Sequence, residues 1–459
     1  MRVTIGIDIA CRAAHQASCA DESGALIWSG VRFRTEAADL ERLWARVPDA
    51  AEEVVVVMEP TRNAWVPLAA WFRRRGAGVV MVPSERSADL RAYYAKHTKT
   101  DRLDSRVLAR LPLLHPEGLH RERGLGPGDA LRRAVKLRSS LVHRRIAALH
   151  RLDALLEILG PAWIEALHSA MDKTALRFLA AYGDPHDVLR LGRSRLTRFC
   201  YRHSRGAWGE AKAAELIAAA RATLAIWGAD GLDYPSLAED IALEARLALH
   251  LTDEIHEMSE RIAVLYRELD PDGIVLSAPG VGPILAAQIL GRLGDAGRFA
   301  SLAGVRSYAG LVPREDSSGI ALRSGGPTKA GDACLREALY LAANAARKSD
   351  PTLAARYHRL MVTGGKHHNS ALCSVAAVLL THIAACLRSG RPYELRDVDG
   401  RTITASEGRE ICTERYTVPP EVRTARRSLR RPQTMKGRDE RVVTGVARRS
   451  KTAPVPVTA

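Results

Sequence analysis

Apolar runs of strand length and apolar positions at helical spacing alternate through the first hundred residues. Residues 3–9 form one such run, and 16–20 and 25–32 follow it as two further strands joined by the turn Asp21-Glu22-Ser23-Gly24. Residues 36–47 fit a helix, and 54–58 (Val-Val-Val-Val-Met) read as a strand buried on both faces. Residues 64–75 are amphipathic, with Trp65, Leu68 and Trp71-Phe72 on one side; 78–82 is another strand, and two helical stretches then lead past Asp104. A three-strand meander followed by helix, strand, helix and strand predicts an α/β domain over 1–125, a mixed sheet covered by helices.

The pattern then changes period. From 128 to 158 apolar positions run at helical spacing through Leu131, Val135, Leu141, Ile146, Leu149, Leu152 and Leu155, up to Gly160-Pro161. A smaller helical unit reaches about 228, and a second long helix is expected over 235–268 with Ile241, Leu247, Leu251, Ile255, Met258, Ile262 and Leu265. Two long helices bracketing a small unit predict an antiparallel coiled-coil arm, 126–269, with a helical insert. Residues 270–395 read as a mainly α domain opened by Ala278-Pro279-Gly280-Val281-Gly282-Pro283. Beyond that the periodicity ends, and 396–459, with Arg426-Arg427, Arg430-Arg431 and Arg448-Arg449, is expected to be a disordered basic tail.

Composition narrows the function. A hydrophobic content of 46% supports a sizeable core, and a net charge of +16 over 459 residues points to a polyanionic partner. No apolar run reaches the roughly 18 residues that span a bilayer, which favours nucleic acid over membrane. The first residues enter a strand at once with no signal-peptide organisation, so a cytoplasmic location is expected. The seven cysteines contain no Cys-x-x-Cys, which argues against a disulfide framework or a zinc site.

Four acids stand out against this background. Asp8 lies inside an apolar run, Glu59 ends another, and Asp101 and Asp104 are spaced i,i+3 in Lys99-Thr100-Asp101-Arg102-Leu103-Asp104. A carboxylate in a β-branched run is costly to bury without a partner. Singly, each acid could cap a turn, pair with an arginine or sit on a solvated helix face. Together they would place four hard oxygen ligands around one point, the chemistry that Mg²⁺ or Mn²⁺ takes. A ribonuclease-H-like sheet uses this arrangement for phosphodiester chemistry. Actin-like sugar kinases also open with Gly-Ile-Asp but continue into a glycine-rich phosphate loop, whereas here Ile9-Ala10-Cys11-Arg12 follows.

Further along, Tyr308 to Gly319 holds Ser317-Ser318-Gly319 in a polar stretch, with Arg314 before it and Lys329 after it. A serine before glycine is ordinarily a turn residue, but basic and glycine neighbours would admit a phosphate. The 278–283 segment resembles the hairpin of a helix-hairpin-helix element, in which Gly280 and Gly282 let backbone amides meet phosphate; an ordinary Gly-Pro turn is the alternative. Arg132, Arg133, Lys136, Arg138, Arg144, Arg145 and Arg151 crowd one long helix and are read as nucleic-acid backbone contacts over a merely solvated face. His367-His368 has no partnered ligand spacing and reads as a loop.

Taken together, Gly6-Ile7-Asp8, Glu59-Pro60-Thr61, Lys99 to Asp104, Pro279 to Pro283 and Tyr308 to Gly319 resemble the transposases of the IS-one-ten insertion-sequence family, also called bridge-RNA-guided recombinases. The resemblance spans about 3–393. It implies a RuvC-like (RNase H-like) domain whose Asp8, Glu59, Asp101 and Asp104 hold Mg²⁺, a coiled-coil segment, and a transposase domain in which Ser318, with Ser317 as the adjacent alternative, is the nucleophile that links covalently to DNA. It further implies donor and target DNA as substrates, a structured guide RNA, and a homo-oligomer, dimer or tetramer. Many members carry glycine after the Glu-x-Thr step, where this chain has Arg62. The competing readings are a junction-resolving nuclease that uses water, and a non-catalytic nucleic-acid scaffold.

Overall fold

The computed structural model describes residues 1–83, 87, 89, 100–114, 116, 119–122, 124, 126, 128–167, 172–318 and 321–428. The chain folds as two compact units, Met1–Gly126 and Pro127–Ala459.

In the first unit a six-stranded sheet runs in the order β3-β2-β1-β4-β5-β6. The strands are β1 Arg2–Asp8, β2 His15–Asp21, β3 Leu26–Phe33, β4 Glu53–Met58, β5 Gly78–Met81 and the two-residue β6 His120–Arg121. β1 is antiparallel to β2 and parallel to β4; β4 is parallel to β5, and β6 returns antiparallel. The uniform apolar run in β4 follows from burial on two faces, because strand side chains alternate. Val56 and Met58 join Ile5, Ile7, Leu40, Leu43, Leu68 and Phe72 under helices α1 (Ala37–Trp44) and α2 (Trp65–Arg74). Val55 and Val57 face the other way, with Val80 of β5, toward Leu108 and Leu111 of helix α3 (Asp101–Leu114).

That helix lies directly on β1. A Cβ at Gly6 would come within 2.2 Å of both Ser105 O and Ala109 N, so only glycine admits this approach. Ser105 Oγ also meets Ser18 Oγ at 2.8 Å. Arg110 donates to Gly24 O in the β2–β3 turn, beside the start of β1. The helix therefore runs against β1, with its first turn at the end where β1 and β4 finish.

In the second unit, α4 (Gly128–Leu159) and α9 (Tyr234–Leu269) pair as an antiparallel hairpin, with Arg138 to Ser259, Arg145 to Thr252 and Arg151 to Glu244 as successive rungs. Helices α5 (Pro161–Leu167), α6 (Lys173–Ala181), α7 (Pro185–His203) and α8 (Glu210–Trp227) close over a core of Trp163, Phe178, Leu196 and Leu216 at its far end. At its root, Leu131, Val135, Ile262 and Tyr266 share one core with α10 (Pro283–Leu293), α12 (Ala333–Ala346) and α14 (His368–Ser389). Short helices α11 (Leu302–Tyr308) and α13 (Pro351–His358) flank them.

One sequence expectation is corrected here. The tail is ordered as far as Ser428: α15 (Ala405–Tyr416) begins at a Thr404/Glu407 capping box, and α16 (Pro420–Ser428) follows it. Ile403, Ile411, Cys412 and Val418 are buried, which is what holds this segment in place despite its charge. Residues 429–459 lie outside the described residues. Helix α14 passes the test of length and mean apolarity for crossing a membrane, by length and composition alone. Ser374, Thr381 and His382 interrupt its run, and Leu372, Val375, Leu379 and Ile383 are buried in the C-terminal core.

Candidate functional site

Asp8 is the last residue of β1 and Glu59 the first beyond β4, and the parallel register Ile7↔Met58 puts them at matching positions on neighbouring strands. Both are half-buried, and Ser87 donates its hydroxyl to Glu59. Asp101 and Asp104 occupy the first turn of α3. Thr100 opens that turn, its hydroxyl accepting from Leu103 N at 3.2 Å and its carbonyl from Asp104 N at 3.0 Å. Two acids there complement the positive end of the helix dipole. Because α3 runs against β1, all four acids stand at one end of the sheet. Among the described residues, however, no three His, Cys, Asp or Glu side chains are gathered closely enough to hold a metal ion. The donor set fits a hard divalent cation in kind, being all carboxylate oxygen, while the side chains are not drawn together around one point. Lys99 lies outside the described residues.

Supporting residues that sequence reading passed over surround this end. His15 lies across the 9–14 loop from Asp8: its Nδ1 accepts from Ala10 N at 3.1 Å and its Nε2 meets Thr35 Oγ1 at 2.7 Å. Burial holds its imidazole below the usual histidine range. A lone histidine at a strand start carries no signal of this role. Arg62, three residues beyond Glu59, takes a left-handed backbone with φ 50°. Only its replacement of the glycine expected by resemblance hinted at that geometry.

In the second unit Ser317 and Ser318 end β7 (Pro313–Ser318), which pairs with β8 (Ala321–Pro327) as far as Ser318↔Ala321. The polar stretch is thus one arm of a hairpin whose tip follows Ser318. Gly319 lies outside the described residues. Arg314 is exposed at the hairpin base, donating to Thr328 O at 3.2 Å, and exposed Lys329 has φ 56°. Gly280 is required by packing, since a Cβ there would lie 2.5 Å from Ala342 O and Ala346 N, whereas Gly282, at the start of α10, faces open space.

The seven basic residues of α4 divide. Arg138 and Arg145 donate to Ser259 and Thr252, Arg151 grips Glu244 with two nitrogens at 2.6 and 3.0 Å, and Arg132 donates to Gly291 O. Glu244 correspondingly raises the Arg151 pKa through its hydrogen bonds. Arg133, Lys136 and Arg144 are exposed. Three of the seven thus hold the hairpin together, and Arg132 ties its root to α10.

Residues 5–161 match the sequence family of DEDD transposases of IS110, described as Transposase, and 272–359 match the Transposase IS116/IS110/IS902 family. An uncharacterized 43.6 kDa protein of insertion element IS110 from Streptomyces coelicolor is 28% identical over 77% of this chain and 86% of its own length. The 44.8 kDa protein of IS116 from Streptomyces clavuligerus is 27% identical over 85% of this chain and 96% of its own. A pilin gene-inverting protein of Moraxella bovis is 28% identical over 32% of the chain and 47% of its own length. This is a transposase, an enzyme of DNA recombination. The chain belongs to the IS110 family of insertion-sequence transposases.

Proposed function

We propose that the chain excises and inserts its element by strand exchange through a covalent phosphoserine–DNA intermediate, with a structured RNA choosing donor and target DNA by base pairing. The observation that carries this reading is the placing of Asp8, Glu59, Asp101 and Asp104 at one end of the mixed sheet β3-β2-β1-β4-β5-β6. These four residues would hold Mg²⁺ or Mn²⁺, which when bound polarises the scissile phosphate and stabilises an alkoxide.

Ser318 supplies the attacking oxygen. Its Oγ forms the new bond to phosphorus, its proton passes to a carboxylate or to water, and the bond to the 3′- or 5′-oxygen breaks to leave a DNA hydroxyl. A second DNA hydroxyl reverses the step, so the bond is kept rather than hydrolysed. Arg314 and Lys329, beside the hairpin, and the 278–283 turn, read as helix-hairpin-helix-like, would bear on DNA phosphates. Arg133, Lys136 and Arg144 would follow RNA or DNA backbone along the arm. The reading requires carboxylates and serine, from the same or another copy of the chain, to act on one phosphate, which fits a homo-oligomer.

Incubating the protein with Mg²⁺ and labelled element-end DNA, then denaturing it, tests the serine. Wild type is expected to give a covalent adduct and Ser318→Ala none. An adduct that survives Ser318→Ala but disappears in Ser317→Ala moves the nucleophile by one residue. Cleavage with no adduct from wild type would make the protein a water-using nuclease. Sequencing RNA that copurifies with the chain tests the guide.

A further inference from the structure

The second unit contains a cleft of about 510 Å³ that neither the acids nor the serine hairpin uses. Its walls come from three segments: Tyr340, Asn344 and Arg347 at the end of α12, His367 and Asn369 at the start of α14, and Arg423 on α16. No carboxylate lines it. The volume lies within the roughly 300–1,000 Å³ of ordinary ligand pockets.

Each lining group is held in place by something other than a ligand. The Arg347 guanidinium carbon sits over the Tyr357 ring, 4.4 Å from its centroid, and its Nε donates to Asn344 Oδ1 at 3.1 Å. Tyr340 donates its hydroxyl to Asn369 Oδ1 at 3.0 Å, which leaves the Asn369 amide nitrogen as a donor. His367 caps α14 by accepting from Asn369 N at 3.2 Å. Val418, buried, and Val422, half-buried, seat α16 on the C-terminal core and so present Arg423. Among the described residues neither Arg347 nor Arg423 has an acidic partner within salt-bridge distance. Burial lowers the Arg347 pKa, and of the neighbouring charges Arg423 lowers it while Tyr357 opposes the shift. Two guanidiniums that face one cleft with no anion between them repel each other, and an anion between them removes that repulsion.

The donors surround the cleft from several directions, and the arginines can each offer parallel N–H groups. This suits a tetrahedral oxyanion better than a planar one. We propose that the cleft binds one phosphodiester of a nucleic-acid backbone, clamped between Arg347 and Arg423 with Asn344 and Asn369 completing the donors, so that the segment after 395 is part of the binding surface. This rests on the nucleic-acid reading above.

The test uses the full chain and a fluorescein-labelled DNA duplex, with anisotropy read across a salt series. Arg423→Gln removes an exposed charge. Asn369→Asp keeps the oxygen that accepts from Tyr340 and adds an acid at a helix start, so its folding is expected to be unimpaired. Each is expected to weaken binding several-fold and to lower the log affinity–log salt slope by about 0.9, the loss of one phosphate contact. The thermal midpoint should not fall. Unchanged affinity and slope in both variants overturn the proposal. So does a thermal shift by inorganic phosphate that Arg423→Gln abolishes while the duplex slope stays put, since the cleft would then take a free anion. Absence of any salt-dependent binding by wild type would instead overturn the nucleic-acid reading itself.

Discussion

At Gly6 the backbone of α3 comes so near β1 that a methyl group has no room, and the same helix carries Asp101 and Asp104. Gly6→Ala must push the helix off the strand that ends in Asp8. Overpacking of this kind costs about 1–3 kcal/mol, and it would move Asp101 and Asp104 away from Asp8. Urea unfolding should show the destabilisation, and Mg²⁺-dependent cleavage should fall further than stability explains. Arg62 poses the opposite problem. A side chain at φ 50° costs about 1–2 kcal/mol, and glycine gives back roughly 0.5–1 of that as unfolded-state entropy. Arg62→Gly is therefore expected to stabilise the chain by about 0.5–1 kcal/mol, read by the urea midpoint at constant slope. His15 predicts a pH dependence. Its neutral ring accepts from Ala10 N, burial holds its pKa below 6.5, and the unfolded ring titrates near 6.5. The folded state then binds fewer protons, so this contribution is complete above about 6.5 and is lost as pH falls through the lowered value. Wild type should lose stability over that window relative to His15→Gln, and a parallel course for the two would rule the contribution out.

The elements of the first unit were largely legible because their burial is regular. Alternation and continuous apolar runs placed 3–9, 16–20, 54–58 and 78–82 within a residue or two of β1, β2, β4 and β5, and helical spacing placed both long helices. The placing of Asp8 and Glu59 at strand ends and of Asp101 and Asp104 at a helix start was legible, but the surrounding geometry was not: Ser87 on Glu59 and the Gly6 approach are contacts between segments far apart in sequence. The hairpin 313–327 lacked an alternating apolar pattern, and α15 lacked an apolar face wide enough to outweigh its charges. Charge counting alone also could not show that Arg138, Arg145 and Arg151 of α4 reach α9. This yields a separable pair of variants. Arg133→Gln with Lys136→Gln and Arg144→Gln should lower the salt slope of nucleic-acid binding by about 3 while leaving the thermal midpoint in place. Arg138→Ala with Arg145→Ala should lower the midpoint, since each loses a hydrogen bond from a charged group, and change the slope less. Equal effects on both readouts would mean that the division seen along α4 has no functional weight.

For the whole molecule the central fact is that the acids and the serine belong to different compact units. A nuclease needs only the first unit's carboxylates and water, so the second unit could be mutated at Ser318 without loss of cleavage. A recombinase needs both sets on one phosphate, and neither Asp8→Ala nor Ser318→Ala alone should form adduct. Mixing the two variants decides how the sets are shared. If different copies of the chain supply them, a mixed assembly contains some sites with an intact Asp8 and an intact Ser318, and adduct should return to a fraction set by the mixing ratio, always on the Asp8→Ala chain, which kept its serine. If one copy supplies both, every site in the mixture lacks one component and no adduct forms. Tagging the two variants to different sizes and reading which band carries the labelled DNA distinguishes these outcomes in a single gel, with chelation of Mg²⁺ expected to remove the signal in either case.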